Sequence, residues 1–233
     1  MTHRLILLGT FVYFKAYAQN EVAVEITSYT ARESGGFYKV VGEVRNTYKE
    51  PLCFVKVEIQ YLDEKGQPLG VDRFTAKDAG IMGIDEVFTE RKVIPSGETA
   101  PFSRIRDLSK IRGKVSGVKI SATGLRLRSL ETTATLSQVE TQAEGKDFIR
   151  VKGLYMASGM PAKSPYVVAV AYDASGKPSV VTSLALTSDG TARGTPLRQA
   201  EPGKSYPFSF TIGELGAGSL LKTVRVFPSW ECE

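Results

Sequence analysis

The chain repeats itself, and that repeat limits the fold more than any other feature. Phe37-Tyr38-Lys39-Val40-Val41-Gly42 returns as Phe148-Ile149-Arg150-Val151-Lys152-Gly153, 111 residues later. Asp63 and Gly66, which close an alternating stretch, return as Asp173 and Gly176, each 110 residues on. Pro101-Phe102 returns as Pro207-Phe208, and Val118-Lys119-Ile120 as Val224-Arg225-Val226, both at 106. Four landmarks in the same order at nearly constant spacing describe two copies of one unit of roughly 105 residues, the size of one β-sandwich. The division places a first unit at 19–124 and a second at 125–233, with no Pro/Ser-rich tether between them.

The period within each copy is two. Cys53, Val55, Val57, Ile59 and Tyr61 share one parity, and Phe54, Lys56, Glu58 and Gln60 the other. That is the pattern of a strand with one face buried. Phe208 and Phe210 alternate with Ser209 and Thr211 in the same way, and Val168 to Tyr172 is expected to be the second copy's equivalent alternating strand. Turn residues separate the runs at Gly35-Gly36, Glu64-Lys65-Gly66, Pro95-Ser96-Gly97, Ser175-Gly176-Lys177, Ser188-Asp189-Gly190 and Pro202-Gly203. Short strands at this spacing predict an all-β chain of two tandem antiparallel sandwiches. The parity changes across Gly124, which predicts a bend or bulge there. Asp78 to Glu90 reads either as a helix or as an irregular loop, because glycine and β-branched residues interrupt it.

The first 18 residues read as a secretory signal peptide. Arg4 supplies the positive region, Leu5 to Phe14 the apolar stretch, and Ala16-Tyr17-Ala18 the small-residue site for a cut before Gln19. The apolar stretch is about half of the ~20 residues that cross a bilayer. The alternative is an uncleaved anchor. The expected location is outside the cytoplasm, periplasmic or on the cell surface. Losing Arg4 and Lys15 from 30 basic residues leaves 28 against 25 acidic. These alternate along the chain without blocks, whereas a nucleic-acid binder concentrates positive charge, so no nucleic-acid partner is expected.

The first copy resembles the FxLYD family, immunoglobulin-like domains of exported bacterial and archaeal proteins. The likeness rests on Gly42, Val44, Asn46, Leu52, Val55, Val57, Ile59, Tyr61-Leu62-Asp63, Gly66, Pro95, Gly97, Glu98 and Phe102. The second copy is similar but divergent, through Gly153, Ala171-Tyr172-Asp173, Gly176, Pro202-Gly203 and Phe208. It has no asparagine equivalent to Asn46. The resemblance implies two envelope-exposed immunoglobulin-like sandwiches and no catalytic apparatus.

Chemistry-bearing residues are sparse. The one histidine, His3, falls within the signal peptide, so no Ser-His-Asp or Cys-His set can form in the mature chain. Ser116 and Lys119 fit S-x-x-K, but in a strand residues three apart point to opposite faces. Asp72, Asp78, Asp85, Glu86 and Glu90 form an acidic cluster interleaved with Lys77, Arg91 and Lys92, which reads as a solvated, self-neutralising loop. Asp63, Asp173 and Asn46 read as turn residues. No metal, cofactor or catalytic residue is expected. Cys53 has core parity and reads as a buried free thiol; the alternative, a bridge to Cys232, requires the second copy to fold back along the first. Trp230 reads as a tail anchor on an open core.

The functional expectation is a non-catalytic binding or scaffolding protein of the bacterial cell envelope, holding another envelope protein through sheet edges or end loops. Ile81, Met82 and Ile84 in the first copy, and Met160, Pro161 and Tyr166 in the second, are the candidate contacts, because they put apolar side chains in loops. The alternative from another class is a carboxylate-dependent metal-binding or carbohydrate-active enzyme.

Overall fold

The structure, a computed structural model, describes residues 21–72, 81–145, 147–190, 194–213 and 221–232. The expected signal peptide and Asp78 lie outside the described residues, as do the side chains of Ile81 and Met82. The described chain is all-β, built of antiparallel sheets, with a single short 3₁₀ turn at Leu108–Lys110. No helix among the described residues is long and apolar enough to cross a membrane.

In the first half the strands are β1 (Glu21–Ala23), β2 (Glu25–Ser34), β3 (Phe37–Arg45), β4 (Leu52–Leu62), β5 (Val71–Asp72), β6 (Ile81–Met82), β7 (Asp85–Phe88), β8 (Val93–Ile94), β9 (Thr99–Asp107) and β10 (Gly117–Arg126). They form one sheet ordered β1-β10-β4-β7, with β8 also on β4, a second ordered β2-β3-β9, and the small pair β5-β6. In the second half β11 (Thr132–Glu144), β12 (Phe148–Gly159), β13 (Ala162–Lys163), β14 (Tyr166–Tyr172), β15 (Pro178–Ala185), β16 (Gln199–Ala200), β17 (Ser205–Gly213) and β18 (Thr223–Ser229) follow. They form β11-β12-β17, β15-β14-β18 and the pair β13-β16. The segment read as helix or loop over 78–90 is, where described, strand β6 and strand β7. The bulge expected at Gly124 is present as a register shift between Thr123 and Leu125 against β4. Strand β10 runs through that point to Arg126, so Leu127 to Glu131 link the halves.

The repeat is visible atom by atom. The Asp63 carboxylate accepts from the backbone N–H of Lys65 and Gln67, both at 2.8 Å, and Gly66 follows with φ 75°. The Asp173 carboxylate accepts from Ser175 and Lys177 at 2.8 and 3.0 Å, and Gly176 has φ 77°. An aspartate that substitutes for backbone acceptors and a glycine free to turn left-handed make each hairpin tight. Likewise a Cβ on Gly42 would stand 2.4 Å from Phe102 Cζ, and one on Gly153 2.7 Å from Phe208 Cζ. In both copies the phenylalanine ring lies in the space that a side chain across the strand pair would fill.

Val40, Val55, Val57, Ile59, Tyr61 and Phe102 form the first half's core and Val151, Tyr155, Val167, Ala169, Phe208 and Ile212 the second's, which Cys53 and Val93 of the first half also join. A third cluster lies between the halves. Val168, Val170 and Tyr172 on the other face of β14 join Phe227 of β18 there. Strand β15, alongside β14, lies against β2, β3 and β9 of the first half, where Lys39, Val41 and Glu43 are buried on the outer face of β3. The expectation that β14 alternates is therefore corrected. Every residue from Val167 to Tyr172 is buried, because an uninterrupted apolar run belongs to a strand covered on both faces. Fully burying Val168 and Val170 in the joint contributes about 1.5–3 kcal/mol each.

Polar contacts fix the register of the joint. Tyr172 Oη donates to Glu43 Oε1 at 2.7 Å, Tyr166 Oη to the Glu90 carbonyl at 2.6 Å, and Thr30 Oγ1 to the Pro178 carbonyl at 2.6 Å. The guanidiniums of Arg91 and Arg225 stand 5.5 and 5.0 Å from the centre of the Phe227 ring. Cys53 and Cys232 form a disulfide with Cα atoms 6.1 Å apart, which corrects the reading of Cys53 as a free thiol: the second half folds back and brings its end beside β4. The halves thus fold back on each other, face to face, rather than standing end to end.

Candidate interaction site

The acidic residues are the groups through which carboxylate chemistry would run. Asp85 is on β7, whose inward parity it shares with Val87, and it is buried. This corrects its expected place in a solvated loop. Arg104 grips it with Nε and Nη2 at 2.8 and 2.6 Å, Arg106 grips it through the same two atoms, and Tyr61 Oη donates at 3.2 Å. Burial alone would raise the Asp85 carboxyl, but the two guanidiniums outweigh it and hold its pKa below the ordinary carboxylate value. The same burial, with the Asp85 charge beside it, pushes the Tyr61 hydroxyl up.

The other acids are dispersed. Glu86 and Glu58 flank Lys56 at 3.1 and 2.8 Å, and their hydrogen bonds push its ammonium up to about 12. Asp72 pairs with Arg112 at 2.8 Å on the surface. Glu90 serves through its backbone. Among the described residues no group of three or more His, Cys, Asp or Glu converges in a way that could hold a metal ion. Ser116 sits just before β10 and Lys119 within it, with no helix to align them.

Asn46 takes the turn role expected of it, from a fully buried position. Its amide nitrogen donates to the carbonyls of Glu50 and Ile94, both at 2.9 Å, and its oxygen accepts from the Tyr48 N–H. It ties the turn after β3 to β8.

The candidate contacts separate into three places. Ile84 is exposed and shares the outward parity of β7 with Glu86 and Phe88. Phe88 is 51% exposed and lies opposite Lys56 of β4, beside Phe54, itself 49% exposed. Lys92 Nζ is 5.9 Å from the centre of the Phe88 ring. On this outer face of β4 and β7 the two phenylalanines lie at one end, and the ion-paired Lys56, Glu58 and Glu86 separate them from Ile84. The sequence reading missed Phe54 and Phe88, although Phe54 was visible as an aromatic on the polar parity of its strand. Met160, 55% exposed, is on the turn after β12. Pro161 borders a cavity of about 260 Å³ at the joint, next to Trp230 and Cys232. Tyr166 is not in that loop. It opens β14, and its hydroxyl, pushed up to about 12 by burial, is spent on the Glu90 carbonyl across the joint.

A second open feature is a groove of about 1150 Å³ between β2 and the first residues of β10. It exists because the N-terminal strand changes sheets. β1 pairs with β10 only from Thr123 to Leu125, Val24 N donates to the Ala122 carbonyl at 2.9 Å, and the chain then enters the other sheet as β2. Ile26, Val118 and Ile120 border the opening and pack only partly against the core. Asp173, Lys177 and Ser179 of the second half close one side.

No family model matches the chain, and no curated protein matches it. Among solved structures, a red sea bream transglutaminase is similar over 98% of this chain and 34% of its own, at 8% identity and a TM-score of 0.27. A β-glucuronidase from Ruminococcus gnavus, in complex with D-glucuronic acid, is similar over 84% of this chain and 36% of its own, at 8% identity and a TM-score of 0.19. The chain spans about a third of the length of each. Likeness at these scores carries neither fold family nor activity to this chain.

Proposed function

We propose that this chain is an exported, non-catalytic binding or scaffolding protein of the bacterial cell envelope, made of two tandem immunoglobulin-like domains of FxLYD type. The observation that carries the reading is the joint. Two sandwiches are packed face to face and cross-linked by Cys53–Cys232, which holds the free Ile84–Phe88–Phe54 face in fixed relation to the rest of the body. A rigid body presenting two exposed phenylalanines beside an ion-paired group suits a protein partner. The disulfide is in keeping with an oxidising compartment, and the clamped Asp85 supplies no group titrating near neutrality for the carboxylate-enzyme alternative.

The test is site-specific photo-cross-linking in intact bacterial cells. A cross-linker at Phe88 should give one discrete adduct, and one at exposed Lys152 on the second half should not. The adduct should vanish in a chain carrying Phe54→Ser and Ile84→Ser that keeps its circular dichroism. Equal adducts at both positions, or an adduct that survives the serine changes, would overturn the reading.

A further inference from the structure

We infer that the groove between β2 and β10 takes an extended, acidic polypeptide segment, which adds as a strand to the free edge of β10 at residues 117–121. The inference rests on the binding reading above and names a different site and mode of contact. The edge follows from strand geometry. The Ala122 carbonyl faces β1, where it accepts from Val24 N. Backbone groups alternate sides along a strand, so the N–H and C=O of Ile120 and Val118 face that same side. No strand pairs there among the described residues, since β1 pairs with β10 only over Thr123–Leu125. An unpaired edge beside an apolar opening is what strand addition requires: main-chain hydrogen bonds hold the guest, and alternate side chains enter the opening.

The occupant's chemistry follows from the lining. Ile26, Val118 and Ile120 take apolar side chains at every second position. Lys119 and Lys177 are exposed at the rim, while the carboxylate of the neighbouring Asp173 is already engaged by its own turn. The rim therefore favours negative charge on the guest. The chain already shows one such strand on β10: β1 places Val22 between Glu21 and Ala23, and Val24 follows with its N–H on the Ala122 carbonyl. The Thr30–Pro178 hydrogen bond holds the second half against one end of the groove, so its shape depends on the closed joint.

The test uses the purified full chain and a synthetic peptide with the sequence of residues 21–28. Backbone hydrogen exchange is read residue by residue. Saturating peptide should slow the amides of Val118 and Ile120 about tenfold or more. A scrambled peptide of the same composition should not. The double reversal Lys119→Glu and Lys177→Glu, at two exposed positions that leave the fold intact, should weaken binding about fivefold or more at low salt, and less at high salt. Absence of protection at Val118 and Ile120, equal protection by the scrambled peptide, or protection confined to Thr123–Leu125 by exchange with β1 would each overturn the inference. Unchanged affinity in the double reversal would overturn the acidic choice of guest. None of these outcomes touches the cross-linking at Phe88, so the two readings fail separately.

Discussion

Tyr172, at the end of β14, donates its hydroxyl at 2.7 Å to the carboxylate of Glu43, a residue 129 positions earlier whose side chain is 6% exposed. The pair is the polar centre of the joint, with Arg225 Nη1 3.5 Å from the same carboxylate oxygen. Tyr172→Phe removes one donor from a buried charge and keeps the ring in place. It should destabilise the protein by about 1–3 kcal/mol, read as a lower urea midpoint at unchanged slope. A neutral result would mean that water replaces the donor and that the joint is looser than described.

The disulfide should act through the unfolded chain. It closes a span of 179 residues, for which loop entropy gives about 5 kcal/mol as an upper figure. Reduction, or the double change Cys53→Ala and Cys232→Ala, should lower Tm substantially and leave the circular dichroism of the native state unchanged. An unchanged Tm would show that face packing alone holds the halves together.

Asp85 separates a structural carboxylate from a catalytic one. Asp85→Asn leaves Arg104 and Arg106 without their counter-charge, and Arg106 is buried, so a loss of about 3–5 kcal/mol is expected. The pH dependence has a definite sign. The folded pKa lies below the ordinary value of 3.8, so the contribution is complete above that value and is lost as pH falls through the folded one. Wild-type stability should decline in this acid range, and the stability of the Asp85→Asn protein should decline less. Parallel acid profiles would place the relevant titration elsewhere.

Gly42 tests the repeat. With Phe102 Cζ 2.4 Å from a Cβ built there, Gly42→Ala should cost about 1–3 kcal/mol through overpacking. Combining it with Phe102→Leu should recover part of that loss. The same pair of experiments on Gly153 and Phe208 should behave alike, as measured by thermal unfolding.

The halves should differ when separated. A first half ending after Leu127 would uncover Val41, Cys53 and Val93 beside the charged Lys39 and Glu43, whereas an isolated second half would uncover the wholly apolar Val168 and Val170 with Tyr172 and Phe227. The second half should therefore be the less soluble, measured by sedimentation after expression. Equal solubility would argue against an apolar joint.

The all-β class and the strand parities were legible because Cys53 to Tyr61 alternate cleanly and the turn residues repeat. The joint was written in the sequence too, in the unbroken run Val167 to Tyr172, but averaging it with the first copy's alternation concealed it. Asp85 was misplaced because the glycines around 80–83 made its neighbourhood resemble a loop. Only the partnering of Arg104 and Arg106, some twenty residues away, reveals a strand. The groove could not be read at all, since it depends on where β1 leaves one sheet for the other.

The way the halves stack has a directional sense. The outer face of the first half's β2-β3-β9 sheet meets the second half's β15-β14-β18 sheet, so the contact is head-to-tail, not self-complementary, and leaves one like face of each kind open to another unit. The chain blocks such an addition by composition. At the positions equivalent to buried Val168 and Val170 the first half carries Glu58 and Gln60, and at the position of buried Val41 the second half carries Lys152. At those positions both outer faces are hydrated, as in the terminal units of a repeat array. Charge at these positions keeps a further copy from stacking in the same way, and it leaves the exposed Phe54 and Phe88 as the apolar part of the first half's outer face.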